Sequence, residues 1–286
     1  MLARQALLYL QNMLQQASFG EAKREAQLIC AYLCGVEPSQ LALYPEKQIG
    51  DASLNNLLAR RLAGEPLQYV LGEAGFMGLT FVVGPGALIP RPDTEVLVEK
   101  AIFLLKEAGA PLIADIGAGP GTIAVSLAYH LPQAMVYGVD ISQDALLWAE
   151  KNRYLHGVSE RCHFFKGNLL APLQALGLRF DLIISNPPYV TEVEMAQLLP
   201  IVQGEPTLAL YGGTDGLDFY RPLAQQAAPL LKPAGFLLLE HGWQQQNQVK
   251  QLLLQEGWQI IECLADLGGR DRGILVARQP KASNKE

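Results

Sequence analysis

Charge is scarce in this chain. Only 17% of its 286 residues are Asp, Glu, Lys or Arg, the net charge is −6, and no long basic stretch occurs anywhere. That argues against a protein whose affinity comes from neutralising many phosphates, although it leaves room for a local basic patch. Cysteine is scarcer still, with Cys30, Cys34, Cys162 and Cys263 the complete set. Cys30 and Cys34 share a helical face at i, i+4, but no histidine or second cysteine pair accompanies them, which favours core packing over a metal site. No apolar run approaches the length of a membrane span. The first 14 residues are broken by Arg4, Gln5, Gln11 and Asn12 and do not read as a signal peptide, so the chain reads as cytoplasmic. Internal repeats and low-complexity tracts are also missing. What is plentiful is apolar side chain, half of all residues, enough for one large domain and a small one.

The amino-terminal third reads as a small helical bundle. Residues 6–16, 22–33, 38–43 and 52–63 carry apolar residues at helical spacing, with Leu7, Leu10 and Leu14 forming one stripe. Asp51 stands where an N-cap is expected, and Arg60 and Arg61 favour the dipole at the end of the last helix. Nothing here has catalytic spacing. Residues 1–72 therefore form one expected domain, residues 73–86 a hairpin connector around Gly78, and residues 87–286 a second domain.

In that second domain strand-like and helix-like segments alternate, the pattern of a parallel sheet wrapped by helices. Strands are expected at 112–116, 135–140, 162–166, 180–185, 236–240, 258–263 and 273–277, with helices starting near Thr94, Gly121, Ser142, Gly216 and Gln244. The segment from Met195 to Gly213 is too long and irregular for a routine connection, which marks it as functional. Residues 279–286 read as a polar, frayed tail.

Three motifs carry the chemistry. Asp115-Ile-Gly-Ala-Gly-Pro-Gly121 joins the first strand to a helix, and its alternate glycines let backbone approach a ligand at the helix start. Its third glycine follows the second by two residues, unlike a dinucleotide fingerprint, and no Walker lysine follows. Asp140 ends the next strand about twenty residues on, placed to accept both hydroxyls of a ribose or to cap the following helix. The third motif is the apolar strand Phe180–Ser185, halted by Asn186-Pro-Pro-Tyr189. Two prolines cannot continue a ladder and disfavour helix before them, so Asn186 stays extended at the strand's carboxyl end. The Asn186 side-chain oxygen and the Pro187 carbonyl offer a planar NH2 two acceptors, and Tyr189 offers an aromatic face. An isolated Pro-Pro would mean only a stiff turn. The glycine loop and Asp140 make the functional reading the better one.

Together these motifs resemble the S-adenosylmethionine-dependent methyltransferases of planar amide and exocyclic amine nitrogens. Ile89-Pro-Arg-Pro-Asp-Thr-Glu95, Gly64-Glu-Pro-Leu-Gln-Tyr69, Glu205-Pro206, Gly212-Gly-Thr-Asp-Gly-Leu217 and Asp266-Leu-Gly-Gly-Arg-Asp-Arg272 are similar to the HemK-type release-factor glutamine N5-methyltransferases. The resemblance spans nearly the whole chain. It implies a Rossmann-like sheet of seven strands, the last antiparallel, with helices on both faces. It further implies S-adenosylmethionine as methyl donor and the Gly-Gly-Gln glutamine of bacterial class I release factors as acceptor. Direct binding of nucleic acid or membrane is not expected. By matching position, Gly117, Ala118, Gly119, Pro120, Gly121, Asp140, Asn168, Leu169 and Asn186 hold the donor, while Asn186, Pro187, Pro188 and Tyr189 hold the glutamine. Asn168 departs from the family, where an acidic residue contacts the adenine amino group; it keeps an acceptor oxygen but not the charge. Two other classes use parts of the same logic. A nucleic-acid base N-methyltransferase would stack Tyr189 on a flipped base, which the acidic balance disfavours. A non-catalytic nucleoside-binding adaptor would not need Asn186. Glu240, Arg91 and the lone His241 receive no role.

Overall fold

The computed structural model describes residues 1–198, 202 and 204–278. The expected polar tail lies outside the described residues, as do residues 199–201 and 203 of the long connection. The described chain forms two compact units, one covering Met1–Glu73 and the other Ala74–Leu198 together with the chain from Glu205 onward.

The first unit contains helices Ala3–Gln16, Ala22–Cys34, Asp51–Leu62 and Leu67–Leu71, with a 3-10 turn at Pro38–Leu43. Leu10, Leu14, Ile29, Cys30, Leu54 and Leu58 meet in its core. Burial pushes the Cys30 thiol up to about 12, as suits a cysteine used as a small apolar side chain. Two expectations need correction. Gly50, not Asp51, is the N-cap; Asp51 is the first helical residue, and its carboxylate accepts from the Met1 ammonium at 2.9 Å. Arg60 and Arg61 do far more than favour a dipole. Arg61 is buried, paired with Glu25 at 2.7 Å and stacked 4.0 Å above the Phe19 ring, while Arg60 donates to Glu65 and to the carbonyls of Tyr69 and Val70.

The second unit opens with a hairpin, β1 (Glu73–Phe76) and β2 (Leu79–Val82). Met77 and Gly78 both have positive φ, the backbone a two-residue hairpin turn requires. The remaining strands are β3 (Leu112–Ile116), β4 (Met135–Asp140), β5 (Cys162–Lys166), β6 (Phe180–Ser185), β7 (Leu231–Glu240), β8 (Trp258–Ala265) and β9 (Asp271–Arg278). They form one sheet in the order β5-β4-β3-β6-β7-β9-β8, in which β9 runs antiparallel between β7 and β8. β7 begins five residues earlier than its apolar pattern suggests. Leu231 pairs with Phe180, the register shifts, and regular pairing resumes at Phe236, which is where alternation becomes readable.

Both faces of this sheet are buried, so its central strands read as near-continuous apolar runs. Ala114, Ile116, Val139, Ile183, Leu237 and Leu239 point to one cluster with residues of helices Tyr220–Gln226 and Gln246–Gln255. Their strand neighbours Ile113, Val136, Leu182, Ile184 and Leu238 are equally buried and, by the two-residue period, face the other side. No helix among the described residues is long and apolar enough to cross a membrane.

The order of the sheet decides where a ligand can sit. From β3 the chain moves outward through β4 and β5, then returns to β6 on the opposite side. The crevice beyond the carboxyl ends of β3, β4 and β6 is therefore a topological switch point.

Candidate active site

Registration across the sheet brings the three sequence motifs to one level. Val139 of β4 lies beside Ile116 of β3, Ile116 beside Ser185 of β6, and Ser185 beside Leu239 of β7. The first residues beyond that row are Asp140, Gly117, Asn186 and Glu240. The Ser185 hydroxyl donates to the Ile116 carbonyl at 2.6 Å and locks β6 to β3 at this point.

A cleft enclosing about 1050 Å³, open solvent at its mouth included, lies over this row. Its wall includes Gly117, Ala118, Gly119, Pro120, Asp140, Asn168, Leu169, Asn186, Pro187 and Pro188. Gly121 and Tyr189 stand outside that wall. A side chain on Gly121 would meet Phe164 at 2.9 Å and Ala149 at 3.2 Å, so this glycine serves helix-to-sheet packing. The Tyr189 ring packs on the sheet's buried cluster, and its hydroxyl lies 3.5 Å from Arg272 Nη1. Burial and the nearby Glu240 raise its pKa, so the phenol stays neutral.

Asp140 is held from both ends. Its Oδ2 accepts the Gly119 N–H at 2.7 Å and its Oδ1 accepts the Ser142 N–H at 2.8 Å. The helix that follows has its own cap, the Ser142 hydroxyl, which accepts the Ala145 N–H. Burial raises the Asp140 pKa against these backbone donors. Asp140 lines the cleft, and a carboxylate can accept more hydrogen bonds than these backbone donors supply, which suits a vicinal diol. Beneath the loop, Asp115 is fully buried. Its Oδ2 accepts the Ala124 N–H, its Oδ1 has no partner among the described residues, and burial pushes its pKa up to about 7. Leu169 adopts a positive φ of 50° on the cleft wall, a strained backbone for a leucine.

Asn186 is oriented by a residue the sequence had not singled out for it. Its Nδ2 donates to Thr94 Oγ1 at 3.1 Å, which leaves Oδ1 to accept from whatever enters. Thr94 closes the 3-10 turn Pro92–Thr94. Behind the prolines the chain is braced by the Gly212–Gly216 segment. A side chain on Gly212 would meet the Pro188 carbonyl and Tyr189 Cα at 2.7 Å, and Gln245 Nε2 donates to the Tyr189 carbonyl at 2.8 Å. The close approach explains the glycines of that motif, which spacing alone left unassigned. On the opposite wall, Glu205 accepts from the Ile89 N–H at 2.9 Å and from the Arg91 guanidinium, tying the 205–209 segment to residues 89–91. Part of the long connection thus forms cleft wall through Pro206, Leu208 and Ala209.

Glu240 is buried with the Arg272 charge nearby, and Arg272 pairs with Asp93 at 3.0 Å and Asp266 at 3.2 Å. Burial pushes the Glu240 carboxyl up to about 7. His241 is buried as well, with its pKa lowered by burial, and it does not line the cleft. Among the described residues no cluster of His, Cys, Asp and Glu is arranged to hold a metal ion.

Known proteins resemble this chain along nearly its whole length. Residues 5–72 match the family model of the PrmC N-terminal domain, and residues 93–203 match that of the methyltransferase small domain. A release factor glutamine methyltransferase of Moorella thermoacetica is 40% identical over 98% of this chain and 99% of its own length. One from Bacillus subtilis is 37% identical over 95% of this chain and 96% of its own. A solved methyltransferase structure from Pyrococcus furiosus shares the fold at a TM-score of 0.52 and 19% identity, covering 71% of this chain and 90% of that one.

Proposed function

The chain belongs to the release factor glutamine methyltransferase family, and from that premise we propose that it methylates the side-chain amide nitrogen (N5) of the glutamine in a release factor's Gly-Gly-Gln segment, with S-adenosylmethionine as donor. One observation carries the site assignment. The Asn186 amide is tied by its NH2 to Thr94, so its oxygen is the end left for a ligand, on the same cleft as Asp140 and the glycine loop.

The residues present fit the donor. Asp140 takes the ribose hydroxyls, and the backbone of Gly117–Gly121 makes room for the rest of the nucleoside and its amino-acid arm. Asn168 accepts from the adenine amino group, with Leu169 as an apolar wall. When bound, the donor supplies a methyl group made electrophilic by its sulfonium.

The protein's own task is orientation. An amide nitrogen is a poor nucleophile because its lone pair is delocalised into the carbonyl. Asn186 Oδ1 and the Pro187 carbonyl accept the two N–H groups, fix the amide plane and turn the nitrogen's face to the methyl carbon. The same two oxygens stabilise positive charge as it develops on nitrogen. Transfer is a direct in-line displacement: the carbon–sulfur bond breaks as the carbon–nitrogen bond forms, the sulfonium becomes a neutral thioether, and one amide proton leaves to water. The partner is a bacterial class I release factor, docked by the unit Met1–Glu73. Peptide mapping of such a factor after incubation with enzyme and donor should find one added methyl on the Gly-Gly-Gln glutamine. Methylation elsewhere, or none, would refute the assignment.

A further inference from the structure

We propose that Arg272 is a positioning residue for methyl transfer: its guanidinium holds the turn that carries Thr94 in place behind Asn186, and so fixes the pose of the Asn186 amide. The inference rests on the reading that Asn186 orients the acceptor glutamine.

The stretch Asp266–Arg272 supplies no cleft wall, yet its polar groups are closely organised. It joins β8 to β9. The Asp266 N–H donates to the Arg270 carbonyl at 2.9 Å, and Asp266 Oδ1 accepts the N–H groups of Gly268 and Arg270 at 2.9 and 3.0 Å. That leaves Oδ2 for Arg272 Nη2, which it meets at 3.2 Å. The backbone of Arg272 is fixed as well. Its carbonyl accepts the His241 N–H at 2.9 Å, just beyond the paired residues Glu240 and Gly273.

Held at both ends, the guanidinium reaches two segments of the site. Nη2 also pairs with Asp93 Oδ2 at 3.0 Å, and Nη1 lies 3.5 Å from the Tyr189 hydroxyl. Asp93 precedes Thr94 in the turn Pro92–Thr94, and Thr94 Oγ1 accepts from Asn186 Nδ2 at 3.1 Å. Tyr189 ends the stretch that Asn186 opens. One side chain thus stands between the turn on which the Asn186 amide rests and the far end of its own motif. Arginine suits that place because its donors form a rigid, permanently charged fork, whereas lysine offers one compact ammonium. The Arg272 and Asp266 side chains are 7% and 6% exposed, so salt screens this pair little; Asp93 is 51% exposed and gains its hold from an arginine already anchored. Loss of the anchor frees the turn to shift, and a misplacement of about 1 Å can cost on the order of a hundredfold in rate. Arg272 touches neither methyl donor nor acceptor nitrogen in this scheme.

The test is single-turnover methylation of a whole release factor by Arg272→Gln and Asp93→Ala, each made in the wild-type and in the Asn186→Ala background, with methyl-donor binding measured on every protein. Arg272→Gln should slow transfer roughly tenfold to a hundredfold while donor affinity stays within about threefold. Asp93→Ala should slow it severalfold, and because it removes no buried group it decides the matter should glutamine at 272 not fold. The signature is non-additivity. With Asn186 already alanine, either substitution should change the rate by no more than about twofold, since both act through the amide that is gone. Wild-type transfer in either single variant would overturn the proposal. So would an equal fold-loss in both backgrounds, because Arg272 would then serve the fold and not Asn186, or a loss of donor affinity as large as the loss of rate. Near-normal transfer by Asn186→Ala alone would instead overturn the underlying reading of the site.

Discussion

At the scale of single residues, three carboxyl groups near the cleft are set apart by what surrounds them. Asp140 has backbone donors on both oxygens and lines the cleft; Asp115 and Glu240 are fully buried, and Asp115 Oδ1 and Glu240 Oε2 have no partner among the described residues. Asp140→Ala should weaken methyl-donor binding by roughly 1.5–3 kcal/mol, the range for a charged hydrogen-bond partner. Calorimetric titration of a folded variant with unchanged affinity would return Asp140 to a purely local role in holding Gly119 and Ser142. Asp115 yields a pH prediction. Its folded pKa of about 7 lies above the ordinary 3.8, so the folded state keeps a proton that the unfolded chain releases. Such a group contributes stability that is complete below about pH 4 and is lost as pH rises through 7. Donor-free enzyme should therefore be less stable to urea at pH 8 than at pH 5, by an amount on the order of a few kcal/mol. Asp115→Asn, which cannot ionise, should lose clearly less over the same interval. An identical loss in both proteins would mean that Asp115 is ionised in the fold.

Among elements, the glycine loop divides its labour. Gly121 has φ +80° and lies against Phe164 and Ala149, whereas Gly119 has φ +56° with no atom near an added side chain. Gly121→Ala should cost about 2–4 kcal/mol of folding stability, overpacking added to a left-handed backbone. Gly119→Ala should cost about 1–2 kcal/mol, for the backbone alone, and should show mainly as weaker donor binding. Urea denaturation beside donor titration separates them, and a Gly121→Ala protein as stable as wild type would contradict the packing role. The elements that position the cleft were legible because their signals are local. Strand β6 is apolar and ends at two prolines, Ser142 stands before a helical pattern it does cap, and the glycines follow a strand directly. What escaped notice is non-local. Thr94 is 92 residues from Asn186, and only the fold brings its hydroxyl to the Asn186 amide. Arg61 read only as a favourable charge at a helix end because its partners, Glu25 and Phe19, are distant in sequence. Strand β7 was read short because Pro233 to Gly235 interrupt its pattern before Phe236.

For the whole molecule, chemistry belongs to one unit. Every described residue on the cleft wall falls in the unit beginning at Ala74, while Met1–Glu73 has its own core and supplies no wall residue. A shortened chain beginning at Ala74 should still bind the methyl donor but methylate an intact release factor poorly. Full activity toward the factor would remove the docking role proposed for the first unit. The central claim is that a neutral amide oxygen at the end of β6 orients the substrate nitrogen. Single-turnover methyl transfer to a release factor by Asn186→Ala, with donor binding measured on the same protein, tests it most directly. Turnover should fall by roughly 10²–10³, the scale for one preorganised polar group, while donor affinity changes little. Near-normal turnover would contradict the account and leave Asn186-Pro-Pro-Tyr189 as no more than a stiff exit from a strand.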